Sequence, residues 1–278
     1  MSMNSDAVSS PSNTPFTGHH PAPALGEMAR QGLLGIGVPA AHGGSGGNMR
    51  DFFHEVARLA AWSPAAACVL AVQRHFIELL RHAQNVGLAS YRLPLLLEGH
   101  ISGACTATWP QSPLPPLLAR DTGRGWRLTG AMQAVPNIGD DWYLLTAWVR
   151  TLPSKAPVLL MLSSEQDGLR RTSLSNGRAD VRFASVLASE VYFREDEVAH
   201  ENADEIARLM RPVAAWLRCA IATGRARARL AVEHHPGLPG ELAVNQIVDR
   251  LLHGVGSSSE MPPEAEIAQA MQALTRTT

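Results

Sequence analysis

The stretch GLLGIGVPAAHGGSGG, residues 32–47, joins an apolar run to a glycine-rich one. Its first half ends at Pro39, and its second half places glycines on both sides of Ser45. A run of this kind predicts a loop whose backbone comes close to another part of the molecule, because glycine has no side chain to hold neighbours apart. Helical patterns lie on both sides, so we expect the loop to connect helices.

The first hundred residues have helical periodicity around this loop. Residues 22–31 predict a short helix before it. After it, Asn48 or Asp51 caps an alanine-rich helix, and Pro64 fits the first turn of the next one. A further helical segment covers residues 88–97. The sequence therefore predicts an N-terminal helical domain.

The period of the pattern changes after residue 100. Short segments rich in β-branched and aromatic residues are separated by clusters of Gly, Pro, Asn and Asp, which is typical of strands and turns. No helical crossover separates them, so we expect an antiparallel β-barrel or sandwich. The segments are residues 101–108, 126–129, 142–149, 158–162 and 181–193.

Helical spacing returns after residue 202. A long helix is predicted to end near His234, and two shorter helices follow at residues 242–252 and 264–274. The fold class is α+β and multidomain, with β structure between two helical parts. The predicted divisions are a disordered lead-in at 1–21, then 22–100, 101–198 and 199–278.

Composition excludes several classes of protein. The chain has 278 residues with a formal net charge of -1, which disfavours a general binder of nucleic acid or of anionic membranes. No apolar run is long enough for a membrane span, and no secretory signal is visible. Cys68, Cys105 and Cys219 lack metal-site spacing and are typical of thiols in a reducing compartment. We expect a cytoplasmic protein.

Four segments occur in an order that resembles the acyl-CoA dehydrogenase family. The stretch at residues 32–47 is similar to the family's Gly-Leu-Leu-Gly…Val-Pro…Tyr-Gly-Gly…Gly-Gly segment. Residues 125–140 resemble its Gly-Tyr-x-Leu-x-Gly…Asn-x-Gly-x-Ala-Asp hairpin. Residues 191–198 resemble the strand that leads to the C-terminal helices, and residues 220–231 resemble the first of those helices.

The resemblance implies a flavoprotein in which FAD takes a hydride from Cβ of an acyl-CoA while a glutamate takes the α proton. It implies an oxidoreductase acting on the CH-CH group of an acyl-CoA or acyl-carrier thioester in fatty acid metabolism. It also implies a homo- or hetero-oligomer. The protein's own part would be to hold the flavin, polarise the thioester carbonyl and supply the base in a dry pocket.

The family's flavin contacts fall at two places in this sequence. The family's Thr-Glu-Pro strand end corresponds to residues 104–110, which implies Thr106 and Thr108 as cofactor-binding residues, with Trp109 in place of the glutamate. The family's aromatic–Ile/Val–Thr/Ser–Asn string corresponds to residues 134–137, which implies Val135 and Asn137.

The sequence departs from the family pattern at the same two places and at its C-terminal part. Ala134 replaces the aromatic that packs on the flavin ring, and Pro136 replaces the hydroxyl residue. HHPG, residues 234–237, stands where the family has an Arg-Gln-Phe-Gly-type turn. The C-terminal helical domain is expected to be shortened, and Glu260 is a weak candidate for the base.

Two other groups of residues have alternative interpretations. His75, Glu78 and His82 share a helix face and could hold a metal or move protons, but their spacing favours a structural role. We expect no metal site. Arg211, Arg218, Arg225 and Arg229 form a stripe on the long helix. The stripe could bind phosphate or nucleic acid, but a solvated or subunit-facing role is favoured.

The sequence therefore supports two hypotheses. The first is an acyl-CoA dehydrogenase-like oxidoreductase whose site is completed by a partner subunit. The second is a pseudoenzyme that keeps the fold as a binding or scaffold protein and has lost the flavin site and the base.

Overall fold

The computed structural model describes residues 21–105, 117–138, 142–152, 157–173, 183–232, 239–253 and 262–277. The predicted lead-in lies outside this part of the chain, apart from its last residue. The predicted divisions of the chain into domains stay predictions.

Four α-helices precede the sheet in the described part of the chain, and two of them, α2 and α3, begin at the predicted capping signals. Asn48 and Asp51 form a capping box at the start of α2, so both predicted capping residues act together. Ser63 caps α3, and Pro64 occupies its first turn. The glycine-rich loop between α1 and α2 contains two single turns of 3-10 helix, Leu33–Gly35 and Ala40–His42. The helices are α1 Pro21–Arg30, α2 Met49–Trp62, α3 Pro64–Arg81 and α4 Val86–Leu97.

The middle of the chain forms one sheet. The described residues contain eight strands, in the order β6-β7-β3-β2-β4-β5-β8, with β1 paired to β4. The strands are β1 Ser102–Cys105, β2 Leu117–Asp121, β3 Trp126–Pro136, β4 Tyr143–Leu152, β5 Pro157–Ser163, β6 Leu169–Ser173, β7 Phe183–Phe193 and β8 Val198–His200.

The expectation of an entirely antiparallel sheet is wrong. The pairs β1·β4 and β2·β4 are parallel. A parallel pair needs a long connection, and here β3 lies within the connection from β2 to β4, whereas the prediction considered helices alone. Strands β2, β6 and β8 were not predicted, because they are short and lie beside turn residues.

Among the described residues, three helices follow the sheet: α5 Ala203–Val232, α6 Pro239–His253 and α7 Glu264–Thr277. The long predicted helix is confirmed as α5, which packs on α2, α3, α6 and α7. The buried apolar residues form two cores. One joins the helices that precede the sheet in the chain to those that follow it, and the other lies within the β structure. In the described part of the chain, no helix is both long and apolar enough to cross a membrane.

The two helical parts are in close contact at Gly224 of α5. A Cβ atom at this glycine would lie 2.1 Å from the carbonyl oxygen of Ala57 and 2.7 Å from Cβ of Ala60, both on α2. The backbones of α2 and α5 are therefore in direct contact. This contact joins the N-terminal helices to the helices that follow the sheet.

We expect Gly224→Ala to lower the free energy of unfolding by about 1–3 kcal/mol, because the new methyl group forces α2 and α5 apart. Gly26→Ala in α1 is the matched control, since no atom lies within 4 Å of its added Cβ. That change should raise stability by about 0.5–1 kcal/mol through helix propensity. Urea unfolding of both variants checks this, and equal effects would contradict the close contact.

Candidate functional site

The end of the sheet that faces α3 is held by one buried carboxamide. Nε2 of Gln73 donates to the carbonyl oxygens of Leu96 at 3.0 Å and Ile101 at 3.1 Å. Its Oε1 accepts from the backbone N–H of Gly103 at 2.8 Å. Gln73 is completely buried, so these bonds are shielded from water. One side chain therefore joins α3 to the end of α4 and to β1.

Asn137 completes this cluster from the end of β3. Its Nδ2 donates to the carbonyl oxygen of Gly103 at 2.9 Å and to Oε1 of Gln73 at 3.3 Å. Its φ of 59° lies in the left-handed region, which asparagine tolerates better than most residues. Its Oδ1 is buried and has no hydrogen-bond partner among the described residues. The side chain of this predicted cofactor residue thus fastens β1 to β3.

The remaining predicted residue of this string, Val135, packs in the β core and is 0% exposed. It follows a bulge, where Gln133 and Ala134 of β3 lie opposite the single residue Ser185 of β7. Ala134 has a φ of 52° and is exposed, whereas Pro136 is buried. The bulge therefore presents Ala134 outward, at the position where the resemblance implies an aromatic residue.

These residues of β3 do not fit a flavin in the way that the resemblance implies. Ala134 offers no aromatic surface, and Pro136 has neither a hydroxyl nor a backbone N–H. The polar group of Asn137 is bonded to Gln73 and Gly103. The other predicted residues, Thr106, Thr108 and the weak base candidate Glu260, lie outside the described residues.

The space between α3 and β1 is also filled. A Cβ atom on Gly103 would lie 2.5 Å from Cγ of Phe76, so the strand backbone rests directly on that ring. Only glycine fits at this point of β1. The contact leaves no room for a ligand between α3 and Gly103.

The glycine-rich loop is fixed by a buried cation from the same helix. Arg74 is 1% exposed and donates to the carbonyl oxygens of Ile36 and Gly37. Its Nε pairs with Glu78 at 2.7 Å, and Glu78 also pairs with Arg81. Desolvation lowers the pKa of Arg74, and the carboxylate of Glu78 opposes that shift. The guanidinium group of Arg74 thus fixes the loop by donating hydrogen bonds to two of its carbonyl groups.

Sequence analysis missed both Gln73 and Arg74. The signal was the pair of adjacent polar residues within the apolar run VLAVQRHFIELL, residues 69–80. A helix with polar residues at core positions needs buried partners for them. The carbonyl groups that both side chains bind belong to elements other than α3, so these contacts could not be identified from the sequence; only the Arg74–Glu78 pair lies within one helix.

His75, Glu78 and His82, which the sequence places on one helix face, have different surroundings. His75 is completely buried, and neither ring nitrogen has a hydrogen-bond partner among the described residues. Glu78 pairs with the two arginines, and Nδ1 of His82 lies 2.9 Å from the carbonyl oxygen of Glu78. The described residues contain no group of three or more His, Cys, Asp or Glu side chains that could hold a metal.

A cleft of about 430 Å³ opens at the opposite end of β3. It includes Trp126, which stacks on Phe193 with ring centroids 5.4 Å apart. Trp126 and Pro136 are ten residues apart on β3, which corresponds to a distance of roughly 30 Å along the strand. This cleft is therefore separate from the predicted flavin position. Sequence analysis did not predict it.

We expect Asn137→Ala to lower the free energy of unfolding by about 2–3 kcal/mol. It removes two buried hydrogen bonds and leaves an alanine in the left-handed region. Asn137→Gly keeps the backbone conformation accessible and isolates the loss of the hydrogen bonds. Denaturant unfolding measures both changes. If Asn137 served only a cofactor, both variants would keep wild-type stability without it.

Stability should also depend on pH through His75. Burial, together with the positive charge of Arg218, lowers the pKa of His75 to about 3. The unfolded chain binds this proton near the ordinary pKa of 6.5. The contribution of neutral His75 to the free energy of unfolding is therefore complete above pH 6.5 and is lost as the pH falls toward 3. Between pH 7 and pH 5 we expect a loss of about 2 kcal/mol that His75→Phe abolishes.

The control for the His75 experiment is Phe76→Leu, a neighbouring change that adds or removes no titrating group. It should keep the wild-type pH dependence, measured by denaturant unfolding at each pH. An unchanged pH dependence in His75→Phe would refute the assignment.

Comparison with known proteins bears on this architecture. Residues 13–98 match the family model described as "Acyl-CoA dehydrogenase, N-terminal domain". No curated protein is significantly similar to the chain in sequence.

Solved structures agree with the fold at low sequence identity. Butyryl-CoA dehydrogenase from Megasphaera elsdenii is 17% identical with a TM-score of 0.76, over 91% of this chain and 76% of that one. PigA with FAD and proline is 14% identical with a TM-score of 0.74, over 92% and 76%. The prolyl acyl carrier protein oxidase AnaB is 16% identical with a TM-score of 0.73, over 92% and 77%.

These findings confirm the predicted resemblance and fold class. The chain has the acyl-CoA dehydrogenase fold, with a helical N-terminal part, a sheet-rich middle and helices after it.

Proposed function

We propose that this chain works in the oxidation of the CH–CH group of an acyl-CoA or acyl-carrier thioester, as an acyl-CoA dehydrogenase-like oxidoreductase that needs a second subunit to complete its FAD site. One observation carries the proposal: the fold is retained while the outward position of the β3 bulge carries Ala134. Keeping the fold supports the same class of thioester substrate, and the altered strand supports dependence on a partner.

The packing of the site residues supports the same division of roles. Gln73 and Asn137 use their polar groups to join α3, β1 and β3, so they stabilise the framework. A framework residue of this kind positions strands and need not touch a cofactor. On this proposal the groups that bind the flavin ring come from the partner subunit.

A second candidate function is a catalytically inactive binding or scaffold protein with this fold. The specific observation in its favour is Pro136, whose burial and lack of a donor suit packing and not cofactor binding. This candidate predicts that the chain assembles with a partner without changing the partner's turnover of an acyl thioester.

The first experiment measures colour. We expect the chain expressed alone to be colourless and to stay so after incubation with FAD and gel filtration. Purified from its native host, it should carry a second, different subunit and be yellow. Acyl-CoA should then bleach that colour without oxygen, and omitting the chain from a reconstituted complex should abolish bleaching.

Three results separate the alternatives. A chain that is yellow alone and bleaches with acyl-CoA is an autonomous dehydrogenase, which contradicts the need for a partner. A partner that bleaches equally well without this chain supports the scaffold. A colourless homo-oligomer with no second subunit refutes the oxidoreductase proposal.

The role of β3 has its own test. Ala134→Trp combined with Pro136→Thr restores the aromatic and hydroxyl residues of the family pattern, so we expect FAD to bind at least about tenfold more tightly than to the wild type. Thr129→Trp, at an exposed position on the same strand, is the control and should leave affinity unchanged. Isothermal titration with FAD measures all three proteins, and equal affinities would refute the assignment of this strand.

A further inference from the structure

One side of α5 is not covered by the described helices. The opposite side is buried against the core through Val213, Trp216 and Ala220. The outward side carries exposed arginines: Arg211, Arg218 and Arg225 at intervals of seven residues, and Arg229 one turn further on. We call these four residues the arginine column.

The arginine column has the geometry of a helix contact. With a rise of 1.5 Å per residue, seven residues span about 10.5 Å, and Arg211 to Arg229 spans about 27 Å. Seven residues turn about 20° less than two full turns, so the column winds slowly around α5. A partner helix in a left-handed supercoil follows the same path.

The residues beside the column are small or half-buried. Ala214, Ile221 and Ala222 flank the arginines and are only partly exposed. Short side chains let a second backbone approach α5, while the guanidinium groups extend past them toward the partner. The shape of this face therefore suits a helix that packs along α5.

The charge of the arginine column has no compensating partner within the described part of the chain. Among the described residues, no ion pair or side-chain hydrogen bond includes a member of the arginine column. The acidic residues of the same helix that precede the column, Asp204 and Glu205, lie in its first turn. A positive face thus stands on a chain whose net charge is only -1.

Two occupants are disfavoured by these observations. A second copy would place arginines opposite arginines when two α5 helices pair about their middle, and like charges repel. A single phosphate group is compact and reaches one or two guanidinium groups out of a column of about 27 Å. An acidic helix offers carboxylates at the same intervals along the whole length.

We propose that the arginine column is the docking surface for an α-helix of a different subunit, one that presents Asp or Glu at seven-residue intervals. This rests on the proposed function, because it names the chemistry of the partner that the oxidoreductase requires. Guanidinium groups pair with carboxylates through two parallel hydrogen bonds, so the match also fixes the register of the partner.

The experiment uses two synthetic 28-residue helical peptides of the same composition. One carries four glutamates at seven-residue intervals, and the other distributes the same glutamates around the helix. We expect the first to bind the full-length chain at least about tenfold more tightly, with affinity falling as salt is added, measured by fluorescence anisotropy.

Variants locate the binding. Arg211→Glu with Arg225→Glu should weaken binding of the first peptide at least about tenfold. Arg124→Glu with Arg170→Glu lowers the net charge equally at exposed positions in the β2–β3 turn and in β6, and should leave binding unchanged. Thermal unfolding of every variant verifies that the fold is retained.

Several outcomes overturn the proposal: equal affinity for both peptides, equal loss in both double variants, or no binding of either peptide at millimolar concentration. Tighter binding of duplex DNA or inorganic triphosphate than of the first peptide, with the same loss in Arg211→Glu/Arg225→Glu, would reassign the surface to a polyanion. Because no flavin takes part, a negative colour experiment leaves this result intact. Failure of the peptides likewise leaves the colour experiment intact.

Discussion

The architecture depends on the carboxamide of Gln73, which satisfies backbone groups from α4, from the turn that follows it and from β1. Where a helix meets a sheet, some backbone N–H and C=O groups have no partner within either element. Burying such groups costs folding free energy unless a side chain supplies the missing hydrogen bonds. Asn137 extends the same network to β3. The adjacent Arg74 then fixes the glycine-rich loop, so consecutive residues of α3 position both the sheet and the loop.

This network places few demands on the rest of the sequence. Its partners are mostly backbone groups, which any sequence provides, and only a few side chains must be kept. The face of β3 that points outward carries none of these bonds. The exposed Ala134 can therefore differ from the family pattern without disturbing the junction, and a chain can retain the acyl-CoA dehydrogenase fold while the sequence of β3 diverges.

Much of the fold was predictable, because helix periodicity and capping residues act locally: Asn48, Asp51 and Pro64 all mark helix ends as their chemistry requires. The parallel pairing of β1 and β2 with β4 was not, since it depends on contacts between residues remote in sequence. At the site, the resemblance implied a cofactor role for the string that ends at Asn137, and that role stays a prediction. The sequence could not reveal that this side chain turns inward, because the bulge at Ala134 changes which residues face the core. Gln73 and Arg74 were visible only as polar residues in an apolar helix.

The composition of the α5 surface limits how it can be regulated. Lys155 is the single lysine of the chain, so the exposed cations along α5 are all guanidinium groups. An arginine stays protonated throughout the biological pH range, and acetylation, which neutralises lysine, does not act on it. In a complex formed through this face, the charge of the arginines would not change with pH. Acetylation could not remove that charge either. Its release would depend on ionic strength, on a competing anion or on a change in the acidic partner.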